Sequence, residues 1–331
     1  MSLKKFLSIF AVLILTVVAG CQTVELQDNE THRELVVYSN LNSKFVNALI
    51  DRFSKEHKVG IKTMSLSKLD GEKQQADIVL SDVATLDELT QAGSLSSLKC
   101  PAVYKIHHRY RGNNNTWSGV FYDPMVLLIS REYSRKYGQT NLHNWQDLCK
   151  ISDHRIVLEN FNNSKSQQNL FAAFASNMGE DKAFAYFQEL NKYVVQYTKF
   201  PFTPVRMITS GEADFAITLN SYVYEYLDND FPAYTVEPNE GTPIILYGVG
   251  IFKGSDSVAE ANQFVQWLLT SPSVKAVAKQ QEMGFKLLSA KSLNSIDKLW
   301  INYGYTNEEE FDALMRKWYE KVRFGGKKWS M

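Results

Sequence analysis

The sequence predicts an α/β protein with two lobes, built from mixed, mostly parallel sheets flanked by helices. Short β-branched segments alternate with amphipathic segments along most of the 331 residues, and this alternation is typical of strands joined by helical crossovers. The strand–helix alternation occurs in two successive sets, which indicates two lobes. A chain of this length suffices for one large domain or two medium lobes.

The first 20 residues are organised like a secretory signal peptide. Lys4 and Lys5 precede an apolar run over 6–18, and small residues follow it, as signal peptidases require. Val18–Cys21 also resembles a bacterial lipobox. We therefore expect a signal peptide over 1–20, lipidation of Cys21 with palmitate-type acyl chains, and a polar tether over 21–33. An ordinary signal peptide or an uncleaved N-terminal anchor is the alternative.

The first predicted set of elements begins at Leu35. We expect strands at 35–38, 60–64 and 76–80, and an amphipathic helix after the first strand with Phe45, Leu49, Ile50 and Phe53 on its apolar face. A second helix follows the third strand, and Thr85 is its expected N-cap.

The remaining elements follow the same alternation up to the C-terminal tail. Strands are expected around Pro124 (119–129) and at 156–159, 193–196, 214–219 and 244–252. Helices are expected at 166–178, 180–190, from Thr203-Pro204, and at 221–227, 258–269, 272–281 and 308–323.

Composition and motifs exclude several classes of function. The chain has 36 basic and 36 acidic side chains, so it lacks the positive balance of a nucleic-acid-binding protein. HExxH, GxSxG and Walker patterns are absent from the sequence. We predict that the protein is not an enzyme, holds no cofactor, and is a monomer.

Cys100 and Cys149 are an even pair once Cys21 carries lipid. In an oxidising compartment such a pair can form a disulfide, and we predict one, with two free buried thiols as the alternative.

Four loops combine polar side chains with predicted strand ends or helix starts, namely 39–42, 81–82, 162–167 and 220–222. Ligands of open α/β sheets bind beyond the carboxyl ends of strands, close to helix N-termini. These four loops are therefore the expected ligand site.

The order and spacing of several segments resemble the type 2 periplasmic substrate-binding proteins of ABC importers, in the branch that binds ferric iron, phosphonates, sugar phosphates or polyamines. The segments that carry the resemblance are LVVYSNLNSKFVNALIDRFSKEH (35–57), ADIVLSDVATLDELTQAGSLSSL (76–98), SGEADFAITLNSYVYEYL (210–227) and GVGIFKGSDSVAEANQFVQWLLTSPSVKAVAKQ (248–280). The resemblance covers nearly all of residues 34–290.

This resemblance implies a two-lobed clamp that closes on its ligand by a hinge motion and passes it to an ABC permease. Lobe 1 is expected to comprise 34–121 and 245–290, and lobe 2 to comprise 122–244 and 291–331. The protein is expected in the cell envelope, facing the periplasm and anchored to a membrane by its lipid.

The resemblance also suggests residues for the ligand site. The expected set is Ser39, Asn40, Asn42, Ser81, Asp82, Ser164, Ser166, Arg206 and Tyr222. For each residue a structural role is the alternative, with Ser39 and Ser81 as helix caps, Arg206 at the surface and Tyr222 packed at an interface.

Iron-binding members of the branch use a histidine, an acid and two consecutive tyrosines. The matching positions here are Asn42, Asp82 and Tyr222-Val223, so two of the four expected ligands are missing and the metal is left unspecified. The serines and Arg206 suit a phosphonate or phosphate ester, while Asp82 suits an amine. A ligand-sensing or structural envelope lipoprotein without a transport role is the alternative function.

Overall fold

The computed structural model describes residues 34–69, 76–137, 142–226, 231–288 and 296–325. The expected signal peptide, the lipidation site Cys21 and the tether over 21–33 lie outside the described residues.

The described strands, numbered in chain order, are β1 Leu35–Ser39, β2 Ile61–Ser65, β3 Ile78–Asp82, β4 Leu95–Ser96, β5 Trp117–Ser130, β6 Ile156–Glu159, β7 Val194–Thr198, β8 Phe215–Leu219, β9 Ala233–Val236, β10 Thr242–Phe252, β11 Lys286–Leu287 and β12 Leu299–Trp300. The described α-helices are α1 Ser43–His57, α2 Val83–Gln91, α3 Arg131–Tyr137, α4 Lys165–Met178, α5 Glu180–Leu190, α6 Thr203–Thr209, α7 Asn220–Tyr224, α8 Val258–Thr270, α9 Pro272–Gln280 and α10 Glu308–Lys317. None of these helices combines the length and the apolar character that a membrane span requires.

The main strands follow the order β2-β1-β3-β10-β5-β8-β6-β7. The outer strands on each side pair in parallel, β1 with β2 and β3, and β6 with β7 and β8. The inner ladders, β3–β10, β10–β5 and β5–β8, are antiparallel. The α/β fold with mixed sheets is confirmed, and its antiparallel share comes from the two long central strands β5 and β10.

Strand β5 belongs to both sheets. Residues Trp117 to Pro124 pair with β10, and residues Met125 to Ile129 pair with β8. At the change of sheet, Thr242 donates a hydrogen bond of 2.5 Å from Oγ1 to the carbonyl of Met125. The first lobe, around β1–β3 and β10, and the second lobe, around β6–β8, therefore share one continuous strand.

Each lobe has its own apolar core. The face of α1 that carries Phe45 and Phe53 packs with α8 and α9 on the first sheet. In the second lobe, α4 and α5 pack with Trp145 and with Trp318, which follows α10. The C-terminal helix thus packs into the second-lobe core, while the residue limits expected for the two lobes stay a prediction.

Two local predictions are wrong. Cys100 lies in the first-lobe core and Cys149 packs against the second-lobe core, and both are free cysteines. Because they belong to different cores, the predicted disulfide is not formed. The N-cap of α2 is Asp82 and not Thr85, since the Asp82 carboxylate accepts the N–H of Thr85.

Candidate ligand-binding site

Three of the expected ligand-binding residues are helix N-caps. Asn42 begins α1 and accepts from the N–H groups of Lys44 (3.0 Å) and Phe45 (3.3 Å). Asp82 begins α2, and Ser164 begins α4 by accepting from the N–H of Gln167 at 3.2 Å. Their side-chain oxygens are thus engaged in capping, while the remaining first-turn N–H groups and the positive helix ends are left for a ligand.

The two first-lobe loops are joined by a hydrogen-bond network. Asn40 donates from Nδ2 to Oδ2 of Asp82 at 2.6 Å. Ser39 is buried, donates to the carbonyl of Leu80 at 2.7 Å and accepts from Leu41 N. Ser81 is also buried, with its hydroxyl 3.5 Å from Asp82 Oδ2. The structure brings these four predicted residues together and gives Ser39 a supporting role in the loop.

The other three predicted second-lobe residues differ in how far they are exposed. Tyr222 is half-buried on α7, with its ring packed edge-on against Phe202 at 4.9 Å between centroids. Burial, with the charges of Glu159 and Asp123, raises the pKa of the Tyr222 phenol, which keeps it neutral. Arg206 lies on the exposed face of α6 and has no ion-pair partner among the described residues. Ser166 is half-buried in the first turn of α4.

Asp123, which is not among the residues predicted from the sequence, is a fully buried carboxyl just before β5 changes sheet. Ser221 donates to it twice, from N to Oδ1 at 3.1 Å and from Oγ to Oδ2 at 2.6 Å. Burial raises the pKa of Asp123 to about 7. Its contacts fix the start of α7, and hence Tyr222, against the strand that both lobes share. A carboxylate inside an apolar run was the available sequence signal.

Glu159 was recognised only as a strand end. Its oxygens accept from Asn163 Nδ2 at 3.2 Å and from Gln167 Nε2 at 2.8 Å. Burial raises the pKa of Glu159 to about 7. This carboxyl therefore lies beneath the start of α4, close enough to Tyr222 for the charge of one to affect the pKa of the other.

The start of α4 faces the first lobe. Lys165, the first residue of α4, forms an ion pair of 2.5 Å between Nζ and Oε1 of Glu88 on α2. Next to the shared strand, Asn220 donates from Nδ2 to the carbonyl of Gly284 at 2.8 Å. The starts of α4 and α7 in the second lobe thus each contact the first lobe, α4 at Glu88 and α7 at Gly284.

The chemistry of these groups suits a polar solute better than a bare metal ion. Within the described ranges, no group of three or more His, Cys, Asp or Glu side chains is arranged to hold a metal. The side chains of the first-lobe loops are mainly hydroxyls and amides, and their one carboxylate, Asp82, already accepts from Asn40 and Thr85. Hydroxyls, amides and helix N-termini are instead suited to an oxyanion.

Two lobes that share a central strand, each with polar loops at its helix starts, have the architecture of a clamp-type binding protein. Residues 35–286 match the family described as bacterial extracellular solute-binding protein. The chain belongs to this family, which confirms the predicted class. The family is one of extracytoplasmic binding proteins, so the prediction that the chain is not an enzyme is confirmed as well.

The chain is similar to proteins of several bacteria. An uncharacterized protein of Haemophilus influenzae is 27% identical over 285 residues, which are 78% of this chain and 80% of that protein. The periplasmic binding protein AfuA of Actinobacillus pleuropneumoniae, with exogenous fructose-6-phosphate bound, has a TM-score of 0.66 at 23% identity, covering 88% of this chain and 99% of AfuA. Ferric iron-binding protein A of Mannheimia haemolytica, in an open conformation, has a TM-score of 0.69 at 19% identity, with coverage of 88% and 99%. These two structures show the two-lobed fold.

Proposed function

We propose that the protein binds a small organic phosphate or phosphonate between its two lobes and delivers it to an ABC importer. The observation that carries this proposal is the ion pair between Lys165 and Glu88. It links Lys165, the first residue of α4 in the second lobe, to Glu88 on α2 of the first lobe. We infer that the N-termini of these two helices line one space between the lobes. Converging helix N-termini favour an anionic group.

The hydroxyl of Tyr222 offers a further donor on the second-lobe side. It has no hydrogen-bond partner among the described residues, and its ring is fixed by Phe202. Because burial raises the pKa of this phenol, it remains a hydrogen-bond donor at neutral pH. A neutral hydroxyl of this kind can donate to an anion or to a hydroxylated solute.

The relatives bind different ligands, and the choice among them rests on the site. AfuA carries fructose-6-phosphate and the Mannheimia protein is named for ferric iron. At the positions where iron-binding members have a histidine and a second tyrosine, this chain has Asn42 and Val223. Asn42 caps α1, and Val223 is buried. Both differences support the phosphate ester.

A ligand panel tests the proposal. Thermal unfolding of the purified protein is measured with sn-glycerol 3-phosphate, fructose 6-phosphate, 2-aminoethylphosphonate, ferric citrate and spermidine. A ligand at 100 times its dissociation constant stabilises the folded state by about 2.7 kcal/mol. We expect stabilisation by a phosphate or phosphonate. Stabilisation by ferric citrate or spermidine alone would contradict the proposal.

Two tyrosines of the same region provide a matched pair of variants. Tyr222→Phe removes the hydroxyl at the site, and Tyr226→Phe removes the hydroxyl of an exposed tyrosine that also packs against Phe202. We expect Tyr222→Phe to weaken binding about three- to tenfold, as for one lost hydrogen bond, and Tyr226→Phe to leave it unchanged. Equal effects of the two variants would place the ligand elsewhere.

Lipid anchoring is the second part of the proposal and rests on Val18–Cys21. We expect the full chain to enter the detergent phase of a Triton X-114 partition and the Cys21→Ser variant to remain in the aqueous phase. Mass spectrometry of the N-terminal peptide would show an acylated Cys21. An unmodified peptide that begins elsewhere would rule out the anchor.

A further inference from the structure

A small cavity lies in the wall of the second lobe, beneath the first turn of α4. Its volume is about 10 Å³, close to the minimum that one water molecule needs. Apolar side chains, mostly from β5, β6 and β8, form most of its lining. The polar residues of the lining are Glu159, Gln167 and Thr218. The cavity therefore has room for one small polar group.

Gln167 is the member whose hydrogen bonding is incomplete. Its side chain is only 5% exposed. Nε2 donates to Oε2 of Glu159 at 2.8 Å, but Oε1 has no partner among the described residues. A buried acceptor without a donor costs about 1–3 kcal/mol, so a site that retains one is suited to a ligand that supplies the donor.

Glu159 decides which kind of donor fits. Asn163 and Gln167 each donate one hydrogen bond to its carboxyl, and burial raises its pKa to about 7. The rest of the lining is mostly apolar, and burying an ammonium group among apolar side chains costs far more than burying a hydroxyl. An uncharged hydroxyl adds no charge and is about the size of the water that the cavity admits.

We propose that this cavity is a hydroxyl subsite of the ligand site, in which an alcohol group of the bound solute donates to Oε1 of Gln167. The inference rests on the proposed function and deepens it, because the solute is then a hydroxylated phosphate ester, such as a polyol or sugar phosphate. The anionic end meets the helix N-termini, and the hydroxyl enters the wall beneath α4.

Calorimetric titration of the purified protein tests the subsite with three probes. They are sn-glycerol 3-phosphate, propyl phosphate, which lacks the hydroxyls, and 3-aminopropyl phosphate, which carries an ammonium group. We expect sn-glycerol 3-phosphate to bind about tenfold more tightly than propyl phosphate, as for one buried hydrogen bond. Equal affinity of these two would overturn the subsite and leave the proposed function standing. Preference for the aminopropyl ester would also overturn it, and so would binding of none of the three. The proposed function fails only if no phosphate or phosphonate of the wider panel stabilises the protein.

Variants locate the effect at the cavity. Gln167→Met keeps the size of the side chain and removes both polar atoms, and we expect it to abolish the preference for sn-glycerol 3-phosphate while the affinity for propyl phosphate stays within about twofold. Gln188→Met, which alters an exposed glutamine on α5, is the matched control and should behave like the unaltered protein. A preference that persists in Gln167→Met would overturn the assignment.

A second variant covers the case in which Gln167→Met does not fold. Thr218→Val keeps the volume of a 4% exposed side chain and makes a polar part of the cavity wall apolar. We expect it to reduce the preference for sn-glycerol 3-phosphate about threefold. An unchanged preference in this variant would count against the cavity as the subsite.

Discussion

Asn40 donates a hydrogen bond of 2.6 Å from Nδ2 to Oδ2 of Asp82, and this bond joins the loops that follow two neighbouring parallel strands. The other oxygen of Asp82 caps α2 by accepting from Thr85 N at 3.1 Å. One carboxylate thus fixes both the helix start and the adjacent loop, so the first-lobe side of the site is ordered before any ligand arrives.

We expect Asp82→Ala to lower the free energy of unfolding by about 1–2 kcal/mol, because it removes a helix cap. Asp82→Asn retains an oxygen for Thr85 and should cost less. Urea unfolding of the two variants, of Asn40→Ala and of the double variant Asn40→Ala/Asp82→Ala forms a double-mutant cycle. Strictly additive losses would show that the bond between Asn40 and Asp82 contributes nothing.

Asp123 should make stability depend on pH. Its pKa is raised by burial from 3.8 to about 7, so between these values the folded protein holds a proton that the unfolded chain has released. The free energy of unfolding therefore falls as pH rises through this window, and the loss is complete above pH 7. We expect the free energy of unfolding of Asp123→Asn, relative to that of the unaltered protein, to be higher at pH 8 than at pH 5.

The measurement for Asp123 is urea unfolding at both pH values. Glu159 titrates in the same range but is present in both proteins, so the difference isolates Asp123. Asp51→Asn, on the exposed face of α1, should show the same difference at pH 5 and pH 8. If Asp123→Asn also shows the same difference at pH 5 and pH 8, the carboxyl of Asp123 is already ionised in the folded state at pH 5.

Gly284 should not tolerate a side chain. Its φ is +71°, and an added Cβ would lie 2.8 Å from the carbonyl oxygen of Asn220 and 2.9 Å from Cα of Ser221. Gly284→Ala should therefore move the start of α7 away from Asp123, destabilise the protein and weaken ligand binding. Both properties are measured, by urea unfolding and by calorimetry.

Two other glycines separate the effect of backbone strain from that of the close contact with α7. Gly179 has a φ of +88° and nothing within 4 Å of an added Cβ, and Gly254 has neither a positive φ nor a close neighbour. Gly179→Ala should cost about 1–3 kcal/mol from backbone strain alone, because its φ of +88° with a ψ of 136° suits glycine. Gly254→Ala should be close to neutral. A loss in Gly284→Ala no larger than that in Gly179→Ala would mean that the contact with α7 yields easily.

The ion pair between Lys165 and Glu88 should contribute a small coupling energy to stability, and that energy should decrease as the salt concentration rises. Both side chains are more than half exposed, and such pairs contribute about 0.2–1 kcal/mol. We expect Lys165→Glu and Glu88→Lys each to destabilise slightly, the double exchange to restore stability, and the coupling to vanish in about 1 M NaCl because of screening. Absence of coupling at low salt would show that the two lobes are not held by this contact.

Cys100 and Cys149 should both titrate as thiols in the denatured, unreduced protein. In the folded protein burial raises the pKa of both thiols, that of Cys149 to about 11, so both should react slowly with a thiol reagent at pH 8. If the denatured protein shows titratable thiols only after reduction, the two cysteines form a disulfide and this prediction is wrong.

The elements of this fold follow from periodicity, whereas the roles of the loop residues do not. The apolar face of α1 and the limits of α5 follow from helical spacing, and β10 follows from a continuous apolar run. Asn42, Asp82 and Ser164 share a chemistry that serves helix caps and ligands equally, and only the three-dimensional contacts show that their oxygens face backbone N–H groups.

The missed residues lie inside regular elements. Asp123 is in the middle of β5 and Gln167 is in the first turn of α4. Each is important because of its hydrogen-bond partner, which is Ser221 for Asp123 and Glu159 for Gln167. Ser221 is 98 residues from Asp123 along the chain. Glu159 is 8 residues from Gln167 but is separated from it by a loop, so neither strand nor helix periodicity relates the two.

The pairing of β3 with β10 has a consequence for synthesis. Ile78 lies opposite Ile251, so the ribosome must make the whole second lobe before the first sheet can be completed. Until then one edge of β3 has unpaired N–H and C=O groups on an apolar strand, the kind of edge that recruits strands from other chains. Nascent or truncated chains that end before β10 are therefore the forms most prone to aggregate, and a chaperone that covers β3 would protect them.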